Sequence, residues 1–420
     1  MTADAKRTIE TIYRIESARL IAGLARIVRD VGVAEELAQD ALVTALEEWP
    51  RSGAPDNPGA WLMATAKNRA IDVVRRRKKI GEKHVAVEHD MRDRQERSAE
   101  EVEARADDDI GDDLLRLVFT CCHPVLTPDA RVALTLRVLG GLTTDEIARA
   151  FLLPEPTLAQ RIVRAKKTLA DANVPFEVPR EKDLGARLES VLEVIYLVFN
   201  EGYAATAGDD WTRPGLCEDA LRLGRILSAL MPHEAEVLGL TALMEIQASR
   251  LGARTDATGD PILLLDQNRA RWDRLLIARG LAAIDSAEKM EHPRGPYFLQ
   301  ASLAACHARA RTAEETDWKK IATLYEELAR VAPSPIVELN RAVAVSMAEG
   351  PAAGLAIVDA LLHEAALARY HLLPSVRGDL LVKLGRMEEA RAELERAASM
   401  TQNAREKKIL LDRAHACESG

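Results

Sequence analysis

The chain of 420 residues has room for two to four domains, and 47% apolar against 29% charged residues exclude a disordered polymer. Its net charge of −9 excludes a protein that coats nucleic acid over its whole surface. Its longest apolar run, around Val194–Phe199, is far short of the ~18 residues a membrane span needs, so no membrane contact is expected.

Ala, Leu, Glu and Arg dominate while aromatics make up 4%, which favours helices because these side chains lose little rotamer freedom there. An all-α protein is expected. The first 20 residues carry Asp4, Lys6, Arg7, Glu10, Arg14 and Glu16, with no apolar signal-peptide core, so the expected location is the cytoplasm. A first helix is predicted from about Ala5 to Arg29, with Ile9, Ile12, Tyr13, Leu20, Leu24 and Ile27 on one stripe and Gly32 ending the unit. The second, Ala34 to Trp49, places Leu37, Ala41, Ala45 and Trp49 on one face and Glu36, Gln39 and Asp40 towards another. Pro50–Pro58 holds three prolines and a glycine in nine residues and reads as a loop. Asn57-Pro58 opens a third helix, which continues through Trp61, Leu62, Ala66, Ile71 and Val74 into the basic run Arg75–Lys79.

Charge is unevenly placed. Residues 67–83 hold eight Lys/Arg against two acids, whereas residues 88–113 hold twelve acids against four arginines. Arg161, Arg164, Lys166 and Lys167 are basic again. Two basic islands around an acidic segment suggest two contact points on one polyanion. Residues 81–111 are therefore read as an acidic linker with a weak charged helix, and helical periodicity resumes at Asp112-Asp113.

The tract 131–169 reads as a helix-turn-helix. Thr143-Thr144-Asp145-Glu146 offers an N-cap with acids in the first turn, and Ile147, Ala148 and Phe151 form the apolar face of a short helix. After the turn at Leu153–Thr157, Leu158, Ile162 and Leu169 pack a second helix back. Thr157, Ala159, Gln160, Arg161, Val163, Arg164 and Lys167 are left for its other surfaces, as on a helix that enters a major groove. An ordinary hairpin with a solvated basic face has the same pattern. Pro175 and Pro179 close this unit, and residues 183–416 form a train of helical stripes broken by Gly, Pro or Asp. Gly378, Gly385, Ala390, Leu394 and Ala397 suit a tetratricopeptide-type repeat, with Gly350 and Ala356 one repeat earlier.

Five cysteines, odd in number, show no paired spacing. Cys121-Cys122-His123 hints at a metal, but no second pair completes four ligands, so buried reduced thiols are expected, with no metal and no cofactor. Glu201, Asp266, Asp273, Glu338 and His371 are scattered without a nucleophile–base pair, and no catalytic activity is expected. Asn200–Tyr203 is polar within an apolar helix; it either lines a ligand pocket or caps the helix with Gly202, and the cap is the reading taken. Trp211, Trp272 and Trp318 are expected to be packing residues rather than a binding cage.

Gly141–Ala148 with Pro154–Lys167 resembles sigma region 4, the reader of the −35 promoter element. Glu35–Leu42 followed by Ala60–Arg77 resembles sigma region 2, and the order resembles the extracytoplasmic-function class of sigma factors. The resemblance implies domains at 1–80 (region 2), 112–175 (region 4) and 183–416, the last similar to a fused tetratricopeptide-like regulatory extension. It implies that Glu36, Gln39 and Asp40 dock on core RNA polymerase, at the clamp of the largest subunits. Asn57, Asn68, Asp72, Arg75, Arg76 and Arg77 match positions that meet the −10 element, and Thr157, Gln160, Arg161, Arg164 and Lys167 those that meet the −35 element. The Pro50–Pro58 loop resembles one that captures a flipped −10 base, which must repay the cost of unstacking it. Promoter DNA and core polymerase are the implied partners, with a regulatory protein or ligand on the extension. Two departures stand out: Ala159 occupies a position where relatives often carry a base-reading side chain, and Pro156 replaces the usual glycine of the turn. A helix-turn-helix regulator with a repeat sensor domain, acting without polymerase, is the competing reading, although it leaves residues 35–79 unexplained.

Overall fold

The apolar stripe of the first helix, α1 (Ala3–Val28), is spaced for burial on one side, and Ile9, Leu20, Ile21, Leu24 and Val28 lie inside a helical bundle. The computed structural model describes residues 3–82, 110–151, 153–204, 212–256, 261–290, 292–401 and 404–418. Among these, every regular element is a helix: eighteen α-helices and three short 3-10 turns. The acidic tract expected at 81–111, and Trp211, lie almost wholly or wholly outside the described residues. The chain divides into two compact units, 1–197 and 198–420.

In the first unit α1 turns into α2 (Val31–Ser52) at Arg29, whose φ of 54° is left-handed, and Asp30, whose Oδ1 accepts a hydrogen bond from the Val33 amide at 3.1 Å. Gly32 therefore does not end a unit; it lies in the first turn of α2, because the aspartate cap starts the helix before it. The α2 face Leu37, Ala41, Ala45 and Trp49 is buried as the spacing required. Pro50 departs from expectation: it sits in the last turn of α2 rather than in the loop. The helix ends two residues later, at Ser52, with Gly53 as its C-cap, so the interruption falls where the ladder is closing anyway. Trp49 and Trp61, with ring centroids 5.2 Å apart, tie the end of α2 to the start of α3 (Pro58–Glu82). Asn57 caps α3, its Oδ1 accepting from the Ala60 amide at 3.1 Å.

Next come α4 (Ile110–Cys121), α5 (Pro128–Val138), α6 (Thr144–Ala150) and α7 (Glu155–Asp171). Thr143 and Glu146 form a reciprocal capping box: the Glu146 amide donates to Thr143 Oγ1 (3.2 Å), and the Thr143 amide to Glu146 Oε2 (2.7 Å). Ile147, Ala148, Leu158, Ile162 and Leu169 are buried, whereas Phe151 is only half-buried because the short helix ends just before it. Pro156 falls in the first turn of α7, where its missing N–H costs no intrahelical bond. The first turns of α8 (Glu181–Tyr203) pack on this module: Arg131 bonds Ser190 and Glu193 (3.0 Å), and Arg187 donates to the Phe119 carbonyl (2.6 Å).

In the second unit α9 (Pro214–Leu230) follows the last turns of α8. Gly202 is helical rather than a cap, because α9 runs hard against it: a Cβ there would lie 2.6 Å from the Cys217 amide nitrogen. The remaining helices are α10 (Ala235–Ala248), α11 (Arg274–Glu288), α12 (Pro296–Arg309), α13 (Trp318–Val331), α14 (Pro335–Glu349), α15 (Pro351–Ala360), α16 (Leu372–Lys383), α17 (Met387–Met400) and α18 (Ala404–Ala416). From α12 onward the core is a succession of clusters, centred on Leu299, Ile321 and Leu328, then Leu355, Val358 and Leu381, then Leu394 and Leu410. Gly350 and Gly385, at φ 110° and 75°, make the turns between paired helices. Gly378 meets Leu394 at the helix crossing. In the preceding pair, α14 and α15, the close contact is made by Gly354 against Ala342 and Ser346, and not by Ala356, which is exposed.

Candidate nucleic-acid interface

Two helices of the first unit present polar stripes that packing does not use. On α3 the buried positions Leu62, Ala66 and Ala70 recur at helical spacing, which turns Asn68, Asp72, Arg75 and Arg76 outward together, all exposed. Arg77 follows on the same helix. Asn57 is exposed at its start, with its side-chain oxygen committed to the cap. On α7, burial of Leu158, Ile162, Ala165 and Leu169 leaves Thr157, Gln160, Arg164 and Lys167 exposed along one side. Arg161 flanks them half-buried, paired with Asp129 at 3.4 Å.

Two features of α7 qualify its polar stripe, and the second escaped the sequence reading. Val163 is 63% exposed in the midst of the polar stripe, an apolar contact of the kind that meets a thymine methyl group. Lys166, which reads as one more cation for DNA, is already engaged. Its ammonium pairs with Glu35 of α2, a carboxylate only 2% exposed. Glu35 Oε1 also accepts from Arg137 Nε of α5 and from Gln39 Nε2, both at 2.7 Å. A second link joins Arg26 of α1 to the buried Asp113 of α4 at 3.3 Å. Neither cross-link has a local sequence signal; exposed heptad partners would have had one.

The α2 residues of interest divide accordingly. Glu36 is exposed, Asp40 is exposed and paired with Arg69 of α3 at 3.5 Å, and Gln39 is half-buried against Glu35. An exposed pair at that distance contributes little and exchanges readily for another cation. Nearby, burial raises the thiols: Cys121 is well above its ordinary range, and Cys122 is pushed up to about 11 despite its contact with Thr135. Both are neutral packing groups, and the described residues hold no cluster of three or more potential metal ligands. No helix among the described residues is long and apolar enough to cross a membrane.

Comparison with known proteins agrees with these two modules. Residues 12–80 match sigma-70 region 2, residues 116–169 match sigma-70 region 4, and residues 187–288 match a family of unknown function, DUF6596. An uncharacterized protein of Rhizobium meliloti (strain 1021) is 45% identical over 383 residues, which covers 91% of this chain and 89% of that protein. No solved structure matches. The outward cationic helices, the family matches in their order and the relative matched over about nine-tenths of both chains lead to one assignment: the chain belongs to the sigma-70 family, as a sigma factor of the extracytoplasmic-function kind with a fused C-terminal domain.

Proposed function

We propose that residues 1–80 dock on the polymerase clamp and engage the −10 element, that 112–175 read the −35 element, and that 183–416 regulate both. The observation that carries this reading is the pair of outward cationic stripes, one on α3 and one on α7. Glu36, Gln39 and Asp40 supply the acidic face for the clamp, and Asp40 changes partner from Arg69 to a polymerase cation. Asn57, Asn68, Asp72, Arg75, Arg76 and Arg77 meet the −10 strand and its phosphates. Thr157, Gln160, Arg161, Arg164 and Lys167 meet the −35 duplex, with Arg164 and Lys167 on phosphates and Gln160 nearest the base edges.

Reconstitution with core polymerase tests this. The full chain should support initiation from a subset of genomic promoters, Asp40→Arg should abolish co-purification with core, and removal of residues 180–420 should change promoter output at equal abundance. Operator binding without any initiation would instead make the protein a regulator independent of polymerase. Unchanged output from the truncated chain would end the regulatory assignment alone.

A further inference from the structure

A guanidinium taken out of water needs a counter-charge or a full set of acceptors. In the second unit Arg250, Arg254 and Arg269 are 8%, 9% and 6% exposed. They alternate with two aromatic rings. The Arg254 Cζ lies 3.6 Å from the Tyr203 ring centroid, Arg250 lies 5.7 Å from Tyr203 and 5.8 Å from Trp272, and Arg269 lies 5.0 Å from Trp272. Arg269 is held by the His307 and Ala310 carbonyls, at 2.7 and 2.9 Å, and by Thr316 Oγ1 at 3.0 Å. Arg250 differs: among the described residues its side chain has no hydrogen bond and no ion pair, and its Nε is buried without an acceptor. The buried Nε of Arg269, Nε1 of Trp272 and Nδ1 of His307 are also without partners.

Two acids of the adjoining helices have arginine partners elsewhere. Glu245 accepts from Arg225 at 2.7 Å, and Glu201 pairs with Arg213. Aromatic faces soften the burial of a cation but supply no acceptor for its N–H groups. His307 is driven down to about 4 by burial and by the nearby Arg250 and Arg269, so it stays neutral and adds no further positive charge. Glu245 Oε2 and Gln267 Oε1 are buried acceptors without partners, but the unpaired N–H groups of Arg250, Arg269 and Trp272 outnumber them, so a buried guanidinium is left without a counter-charge of its own.

We infer that Arg250, between Tyr203 and Trp272, is the centre of an oxyanion-binding site in the DUF6596 segment, taking a small molecule that bears a phosphate or a carboxylate. Trp272 is a wall of that site as well as a packing residue. Arginine is the suited donor, because its planar fork matches either group and stays charged when buried. Binding stands apart from the proposed function: the site can hold its anion whether or not the extension regulates promoter output.

The test is thermal unfolding of the full chain against inorganic phosphate and, separately, sodium acetate, at ionic strength held constant with chloride. A saturable rise in Tm with phosphate alone identifies a phosphate group; with acetate alone, a carboxylate. Arg250→Gln should weaken the response at least about tenfold, while Arg225→Gln, on the exposed side of the neighbouring pair, should keep it. A second measurement needs no variant: the anion that stabilises should raise the His307 pKa by about one unit or more, because a negative charge beside it offsets the two arginines. The absence of a saturable response to both anions, an unchanged response in Arg250→Gln, or an unmoved His307 would each overturn the site.

Discussion

Glu35→Gln isolates the link between the two sigma modules. The substitution keeps the shape and the α2 packing but removes the charge shared by Arg137 and Lys166. Removing one member of a buried ion pair costs about 3–5 kcal/mol. The two cations here keep 23% and 21% of their side-chain surface exposed, so water compensates in part and the lower end applies, about 3 kcal/mol. Only the packing of α2 on the helices α5 and α7 is weakened by that amount; the apolar core of each module is untouched. Amide hydrogen exchange in the full chain reads this directly. Amides in the stretch of α7 from Arg164 to Ala170 should exchange about a hundredfold faster, at ~1.4 kcal/mol per factor of ten, while those of α10 stay unchanged. Lys166→Met combined with Glu35→Gln should recover part of the loss, since the second cation no longer needs a partner. An exchange rate in α7 that rises less than about threefold would refute the reasoning, because the carboxylate would then add little to the link.

Arg75→Ala with Arg76→Ala should lower the dependence of log affinity on log salt by about 2, about one for each phosphate that is no longer neutralised; binding titrations from 50 to 200 mM salt would show it. Gly202→Ala should destabilise the second unit by about 1–3 kcal/mol in denaturant unfolding, since the added methyl meets the α9 backbone rather than a movable side chain. Thr143→Ala should cost about 1 kcal/mol through disruption of the capping box, measured the same way. His307 should titrate at about 4 in NMR, below its ordinary 6.5. Between those values the unfolded chain binds more protons than the folded one, so stability rises with pH across that window, and His307→Gln should flatten the slope.

Elements with a strong local rule were legible in the sequence. The stripe Leu158, Ile162, Leu169 foretold which side of α7 is buried, and Asn57-Pro58 and Thr143–Glu146 foretold two helix starts. Pro50 and Gly202 broke local rules because tertiary contacts prevailed: the Trp49–Trp61 pair draws α2 onward, and α9 leaves no room at position 202 for a side chain. The outward stripes followed from periodicity alone, but the roles proposed for them on DNA and on polymerase rest on family resemblance. Partnerships across long stretches of chain left no trace in spacing. Glu35 and Arg137 are 102 residues apart, and Tyr203, Arg250 and Trp272 come together only once α8, α10 and the following turn are folded.

The link through Glu35 sets a length problem. Promoter elements centred near −10 and −35 lie about 25 base pairs apart, or about 85 Å along a duplex at ~3.4 Å per pair. A compact body the size of the 197-residue first unit has a radius of gyration of roughly 16 Å. Hands clasped at the wrist cannot hold both ends of such a rod. If the two modules occupy both elements as proposed, the carboxylate's grip on Arg137 and Lys166 must break, and Lys166 would then be free to meet the duplex.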